Sequence, residues 1–298
     1  MTVSARFATL VERIQPTTDE FGKYDTHRQT VTRRIKTVYP GAEVHVIGSH
    51  DRGCAINMHS DLDLLARIKR ADVRWGDRLV SSATALNSMR GELKDRFIET
   101  DIGRDHCAVV ANFGGGRYSV DIVPAFFERM TTIDFLGAMR PIYSIPDGTG
   151  GWLETCPEAH NQYLIEIDRQ SGGKLKRVAQ LLKYWINCRS PRTPILNFHI
   201  EIALAGAKVC TVPKSYSACV AGALELLAER KLAAHRDPLG ISGAIPAVKT
   251  ESQREIALAT VKAAAERATK ALVAEGRDDV TEAYRLWGLV FNGNFPAG

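Results

Sequence analysis

The sequence predicts an α+β lobe followed by a helical lobe, and three observations carry that expectation. Strand-like segments lie in the first half of the chain, while the second half reads as successive alanine-rich helices. Between them, Arg140 to Pro157 gathers Pro141, Pro146, Gly148, Gly150, Gly151 and Pro157, the composition of a break in regular structure. The lobe boundary is therefore expected at residues 150 and 151, giving lobes 1–150 and 151–298. A chain of 298 residues, 45% hydrophobic and 24% charged, can bury such a core without disulfide or metal staples.

The first helix is expected over 17–38, with Thr17 or Thr18 as cap and Asp19 and Glu20 in its first turn. Phe21, Tyr24, Val31, Ile35 and Val38 would face inward, and Pro40-Gly41 ends it. Val44 to Ile47 alternates as a strand into Gly48-Ser49, and Asp61 to Leu65 forms a second strand. Residues 74–97 read as a helix with Leu79, Ala83, Leu86, Leu93 and Phe97 on one side. Cys107–Phe113 and Arg117–Phe126 flank three glycines and read as a hairpin. Helices follow near 158–170, 174–189, 197–209, 217–235, 250–274 and 278–291.

Apolar runs such as Ala221–Ala228 are short and broken by Glu225, so no membrane span is expected. The first residues, MTVSARFATLVERI, are mildly amphipathic and lack the apolar core of a secretory signal, which makes the cytoplasm the expected location. Six scattered cysteines show no metal-ligand spacing and read as small buried hydrophobes. The formal net charge of +5 suits a polyanionic ligand without establishing a nucleic-acid partner. Its placement says more, because Arg169 to Arg192 carries Arg169, Lys174, Lys176, Arg177, Lys183, Arg189 and Arg192 and no acid.

The chemistry-bearing segment opens at Gly48-Ser49 and continues to Asp61-Leu62-Asp63. On a strand, positions i and i+2 face the same way, so Asp61 and Asp63 project together while Leu62 and Leu64 enter the core. Two such carboxylates disfavour joint ionisation unless a cation lies between them, and hard oxygen donors suit Mg²⁺. Asp121 interrupts an otherwise apolar strand, where an unpaired charge is costly. If its strand lies beside the one bearing Asp61 and Asp63, the three acids make a two-metal site for phosphoryl displacement. Gly48 permits close backbone approach and Ser49 can donate to phosphate oxygens.

This ordered set of strand, Gly-Ser, D-x-D strand and later aspartate strand resembles the DNA polymerase β-like nucleotidyltransferases. The stretch GSHDRGCAINMHSDLDLL is similar to the bacterial branch related to cGAS and oligoadenylate synthase, the CD-NTases. The resemblance implies a nucleotidyltransferase lobe with a small mixed sheet, a C-terminal helical lobe and nucleotides between them. It implies that Asp61, Asp63 and Asp121 hold two Mg²⁺ ions, with Mn²⁺ as a substitute, and that Gly48 and Ser49 bind triphosphate. Lys183, in Leu-Leu-Lys-Tyr-Trp, matches the family lysine that contacts the donor triphosphate, and Lys176, seven residues earlier on the same flank, is a second candidate. Asn197 stands where relatives use a serine for the triphosphate. Asn161, in a segment similar to the base-contacting helix, matches an asparagine that reads uracil in the group called clade E, to which the modest chain length is suited.

The implied activity is template-independent joining of ATP, UTP or GTP into a cyclic di- or trinucleotide, by attack of a ribose hydroxyl on an α-phosphate and pyrophosphate release. The implied role is antiphage signalling through a separate downstream effector, by a monomer with no membrane partner and no strong nucleic-acid-binding signal. The same three acids would also serve nucleotidyl transfer to RNA, protein or a small molecule, and a catalytically silent nucleotide-binding protein is the remaining alternative. The terminal Gly298 invites comparison with relatives conjugated through their tails, and is read as incidental.

Overall fold

In the computed structural model of the chain, residues 2–133, 137–210 and 214–296 are described, which leaves Gly298 outside the described residues. The chain divides into two compact units, Pro16–Gln162 and Met1–Gln15 with Tyr163–Gly298. The class is α+β, with a mixed sheet in the first unit and helices dominating the second.

Helix α1 (Val3–Arg13) belongs to the second unit; the first opens with α2 (Thr18–Val38), closed at its start by a reciprocal capping box between Thr17 and Glu20. Strand β1 (Glu43–Ile47) runs directly into the one-turn helix α3 (Gly48–Asp51), and β2 (Leu62–Arg67) returns beside β1 in antiparallel register. A small hairpin, β3 (Arg74–Trp75) and β4 (Arg78–Leu79), precedes α4 (Ser82–Arg96). Then come β5 (Asp101–Asp105), β6 (Ala108–Phe113), the long β7 (Tyr118–Ile133), β8 (Ala138–Pro146) and β9 (Trp152–Thr155). The sheet order is β1-β2-β7-β6-β5, with β8 pairing to β7 and β9 to β8; β2 and β7 run parallel and the other neighbours antiparallel among the described residues.

Leu62, Leu64, Ala66, Val120 and Ile122 point to one face of that sheet and pack with Val31 and Ile35 of α2 and Leu86, Met89 and Leu93 of α4. Because strand side chains alternate, Asp63 and Asp121 are thereby committed to the opposite face. The expected 107–126 hairpin forms, with Phe113 opposite Tyr118. Two expectations are corrected. Residues 74–79 make the β3–β4 hairpin rather than the first turns of a helix, because Gly76 adopts positive φ and the helix start is fixed by Ser81, whose side chain accepts from the Thr84 N–H. The supposed break at 140–157 contains β8 and β9; Pro141 and Pro146 sit within β8, a strand whose outer partner β9 is short.

Helix α5 (Pro157–Gln170) begins in the first unit and continues into the second. There α6 (Lys174–Asn187), α7 (Asn197–Gly206), α8 (Tyr216–Glu229), the two-residue strands β10 (His235–Arg236) and β11 (Ala244–Ile245), α9 (Glu251–Gly276) and α10 (Val280–Val290) follow. The buried positions of α9 are Ala257, Val261, Ala264, Ala265, Ala268, Ala271 and Ala274, so small side chains face α8 and α10. Grouping α1 with these helices departs from a division at 150 and 151, and its physical basis is Phe7. That ring is fully buried and meets Trp287 edge-on at 4.9 Å and Phe295 at 5.0 Å. No helix among the described residues is long and apolar enough to cross a membrane.

Removing the Phe7 ring should therefore loosen the second unit. Phe7→Ala is expected to cost about 3–5 kcal/mol of stability, measured by chemical denaturation against the parent protein.

Candidate active site

The parallel pairing of β2 and β7 sets Asp63 directly opposite Asp121. Neighbouring strands stand about 4.8 Å apart, so two carboxylates on one face at one register are electrostatically coupled. The coupling shows in Asp121, whose carboxyl is pushed up to about 7 by burial, then by the negative charges of Asp63 and Asp61, against a lowering hydrogen bond from Ser119. Ser119 Oγ donates to Asp121 Oδ1 at 3.2 Å. Asp61, just before β2, is exposed, and Asp63 and Asp121 are half-buried. Three of the nine expected site residues thus form one electrostatic cluster.

Gly48 and Ser49 begin α3 at the end of β1, where Ile47 pairs with Asp63. Gly48 has φ +70, and a Cβ built there would lie 1.9 Å from Asp63 Oδ2 and 2.9 Å from Asp63 Cβ. Glycine is required twice over, for the left-handed backbone and for the approach to the carboxylate. The turn is held by the Cys54 N–H donating to the Ser49 carbonyl at 2.9 Å and by His50, whose ring meets Tyr24 at 4.8 Å. The Tyr24 hydroxyl donates to the Ser60 carbonyl at 2.7 Å, and its own proton is held more tightly by burial and by the Asp61 charge.

Several participants were not legible in the sequence. Asp105 ends β5 and adds negative potential to Asp121. The half-buried Cys107 thiol is pushed up to about 11 by burial, then by Asp63, Asp121 and Asp105. Nothing in Asp101–Asp105 alternates in polarity, so β5 left no periodic signal; only the sheet brings its end to the carboxylates. The hard oxygen donors of Asp61, Asp63 and Asp121 fit a divalent cation such as Mg²⁺, which would relieve the repulsion that adds to burial in raising Asp121. Among the described residues, no three or more His, Cys, Asp or Glu side chains already form a ready ligand array.

Asn161 lies in the first turns of α5 and is buried. Its Nδ2 donates to Asp51, and its Oδ1 accepts from Arg52 Nη1 at 3.3 Å. The amide expected to read a base is thus engaged within its own unit.

The remaining expected residues lie in the second unit, where the acid-free basic run meets acids from outside itself. Lys183 is fully buried and its Nζ is 2.6 Å from Glu201 of α7, an ion pair rather than an open cationic face. Arg169 pairs with Glu166, from just before the run. Lys176 is half-buried, and its backbone N–H donates to Asp168 at 2.9 Å. Asn197 is the first residue of α7, and its Oδ1 is buried with no hydrogen-bond partner among the described residues. His199, on the same helix, is buried with Nδ1 3.2 Å from the Ile245 carbonyl oxygen, and burial pushes it down to about 4.

Residues 1–167 match the family model of the Second Messenger Oligonucleotide or Dinucleotide Synthetase domain. A Bacillus cereus protein named as a probable cyclic nucleotide synthase is 25% identical over 293 residues, covering 90% of this chain and 86% of its own. Among solved structures, Escherichia coli CdnC with ATP aligns at TM-score 0.70 and 18% identity, over 99% of this chain and 98% of that one. Vibrio cholerae DncV, a cyclic AMP-GMP synthase in complex with a linear intermediate, aligns at TM-score 0.74 and 8% identity, over 97% and 94%. At those identities the structural likeness concerns the fold.

Two outcomes follow from the geometry. Gly48→Ala should lower nucleotidyl transfer at least about 100-fold, as misplaced reacting groups do, while circular dichroism shows the fold retained. The raised Asp121 carboxyl keeps its proton in the folded state to about pH 7, whereas in the unfolded chain it ionises near its ordinary value. Its contribution is therefore full in acid and lost as pH rises through about 7. Metal-free protein should lose melting temperature from pH 4 to 7 more steeply than Asp121→Asn, compared by parallel thermal scans.

Proposed function

The chain belongs to the Second Messenger Oligonucleotide or Dinucleotide Synthetase family, within the bacterial CD-NTases, and is a nucleotidyltransferase; we propose that it joins nucleoside triphosphates into a cyclic di- or trinucleotide. The observation that carries this reading is Asp63 set in register with Asp121 and packed against the φ-positive Gly48 of the turn.

On this reading Gly48 and Ser49 receive the triphosphate, the glycine by close backbone approach and the serine by donating its hydroxyl. Asp61, Asp63 and Asp121 would hold two Mg²⁺ ions, with Mn²⁺ as substitute, which when bound neutralise charge on the attacking and leaving oxygens. Asp121 takes the proton of the attacking ribose hydroxyl at Oδ2, because Ser119 already donates to Oδ1. The hydroxyl oxygen attacks the α-phosphorus, the bond to the bridging oxygen breaks, and pyrophosphate leaves with the electron pair. A second attack within the linear product closes the ring. In the second unit Lys183 pairs with Glu201 and so helps to hold α6 against α7. The cyclic product would act on a separate effector in antiphage signalling.

The test is incubation with each NTP singly and in pairs, with Mg²⁺ or Mn²⁺, followed by phosphatase and mass spectrometry. A resistant product of cyclic oligonucleotide mass is expected from the parent protein. Asp61→Asn and Asp63→Asn should lower its formation by more than about 1,000-fold, with folding unchanged. Product that appears only with an added RNA, protein or small-molecule acceptor would replace cyclisation by acceptor transfer.

A further inference from the structure

Helix α3 carries the Gly48-Ser49 turn, yet it is only four residues long and its N-cap residue, Ile47, makes no side-chain cap. A single turn does not hold itself in water, since nucleation fixes several residues for one hydrogen bond. Its position must therefore come from contacts beyond the helix. On one side they come from His50 against Tyr24. At its C-terminal end they come from Asp51 and Arg52, both of which bond to one residue more than a hundred positions away, Asn161.

The chemistry of that residue fits the place. A carboxylate only accepts and a guanidinium only donates, so a single side chain between them must present a donor to one and an acceptor to the other. An amide does this, with Nδ2 toward Asp51 and Oδ1 toward Arg52. Arg52 and Asn161 are both 8% exposed, while Asp51 reaches solvent, so the bonds form at the edge of a desolvated pocket where they are worth more than on an open surface. The first turns of α5 are thereby tied to the turn that approaches Asp63.

We propose that Asn161 is a positioning residue that clamps the Gly48–Asp51 turn through Asp51 and Arg52, and that it does not read the nucleobase. The proposal rests on the nucleotidyltransferase reading of the turn, and it separates two behaviours. A clamp acts on whatever triphosphate the turn receives, so its loss raises KM for every NTP used by a similar factor. A base reader acts on one base, so its loss raises KM for one NTP and changes the product mixture.

The experiment compares Asn161→Ala, Asp51→Asn and the exchange Asp51→Asn/Asn161→Asp with the parent protein. The exchange keeps a donor opposite an acceptor and a carboxylate beside Arg52, so it should restore what each single change removes. Asn161→Ala is expected to raise KM for each NTP about tenfold, the cost of about one charge-assisted hydrogen bond, with kcat within about twofold and base composition unchanged. Amide hydrogen exchange over 48–54 should quicken in Asn161→Ala and return toward the parent rate in the exchange variant, with α9 amides unaffected in both. A change confined to one NTP, or no quickening at 48–54, overturns the clamp. Should the parent protein transfer no nucleotide, the function reading fails while hydrogen exchange still decides whether the clamp exists.

Discussion

Asp63 and Asp121 face each other across a parallel strand pair, and their mutual repulsion is the constraint around which the first unit is organised. Left to themselves, half-buried carboxylates would turn toward water. The sheet prevents this by register, because Leu62, Leu64, Val120 and Ile122 must enter the core, and period-two alternation then sends both acids to the other face. Strand rotation by one residue would bury the acids and expose the leucines. Burial first, and then the repulsion, raise the proton affinity of Asp121, and that cost is carried by the packing of α2 and α4 behind the sheet.

The same constraint explains the turn. With Asp63 held by its strand and opposite Ile47, the chain leaving β1 passes within van der Waals reach of the carboxylate. Any side chain at position 48 would collide with it, and φ at +70 disfavours one independently. Gly48 is thus dictated by Asp63, and the short α3 that follows has to be steadied by His50, Asp51 and Arg52 instead of by its own length.

What was legible in the sequence was whatever depends on near neighbours. Alternation placed the acids on their strand, the glycines between Phe113 and Tyr118 marked a hairpin, and Thr17 with Glu20 marked a helix start. What depends on distant pairing was not legible. Asp105 joins the carboxylates only because β5 pairs with β6, and the strand itself has no periodic pattern. Residues 140–157 read as a break because of their prolines, yet β8 accepts two of them. The run from Arg169 to Arg192 contains no acid, so the run itself offers Lys183 no partner. Glu201 lies outside the run and reaches Lys183 through the packing of α6 on α7.

That pair changes how charge in the second unit must be read. Lys183 and Glu201 are each almost completely withdrawn from solvent, at 1% and 4% side-chain exposure. Removing either partner would strand a buried charge, so their attraction is first a condition for packing α6 against α7. Arg189 is likewise turned inward, donating to the backbone carbonyls of Trp185 and Val290. Counting cations along the chain therefore overstates what the helices can offer a phosphate. The buried Oδ1 of Asn197 at the start of α7, without a partner among the described residues, is a different kind of feature, because an orphaned polar atom costs free energy that packing does not return. Lys183 and Arg189 are engaged in holding the helices together, whereas in the sheet unit like charges are held together against their own repulsion. Packing accounts for the first arrangement and not for the second, which is why the chemistry is assigned to the aspartates.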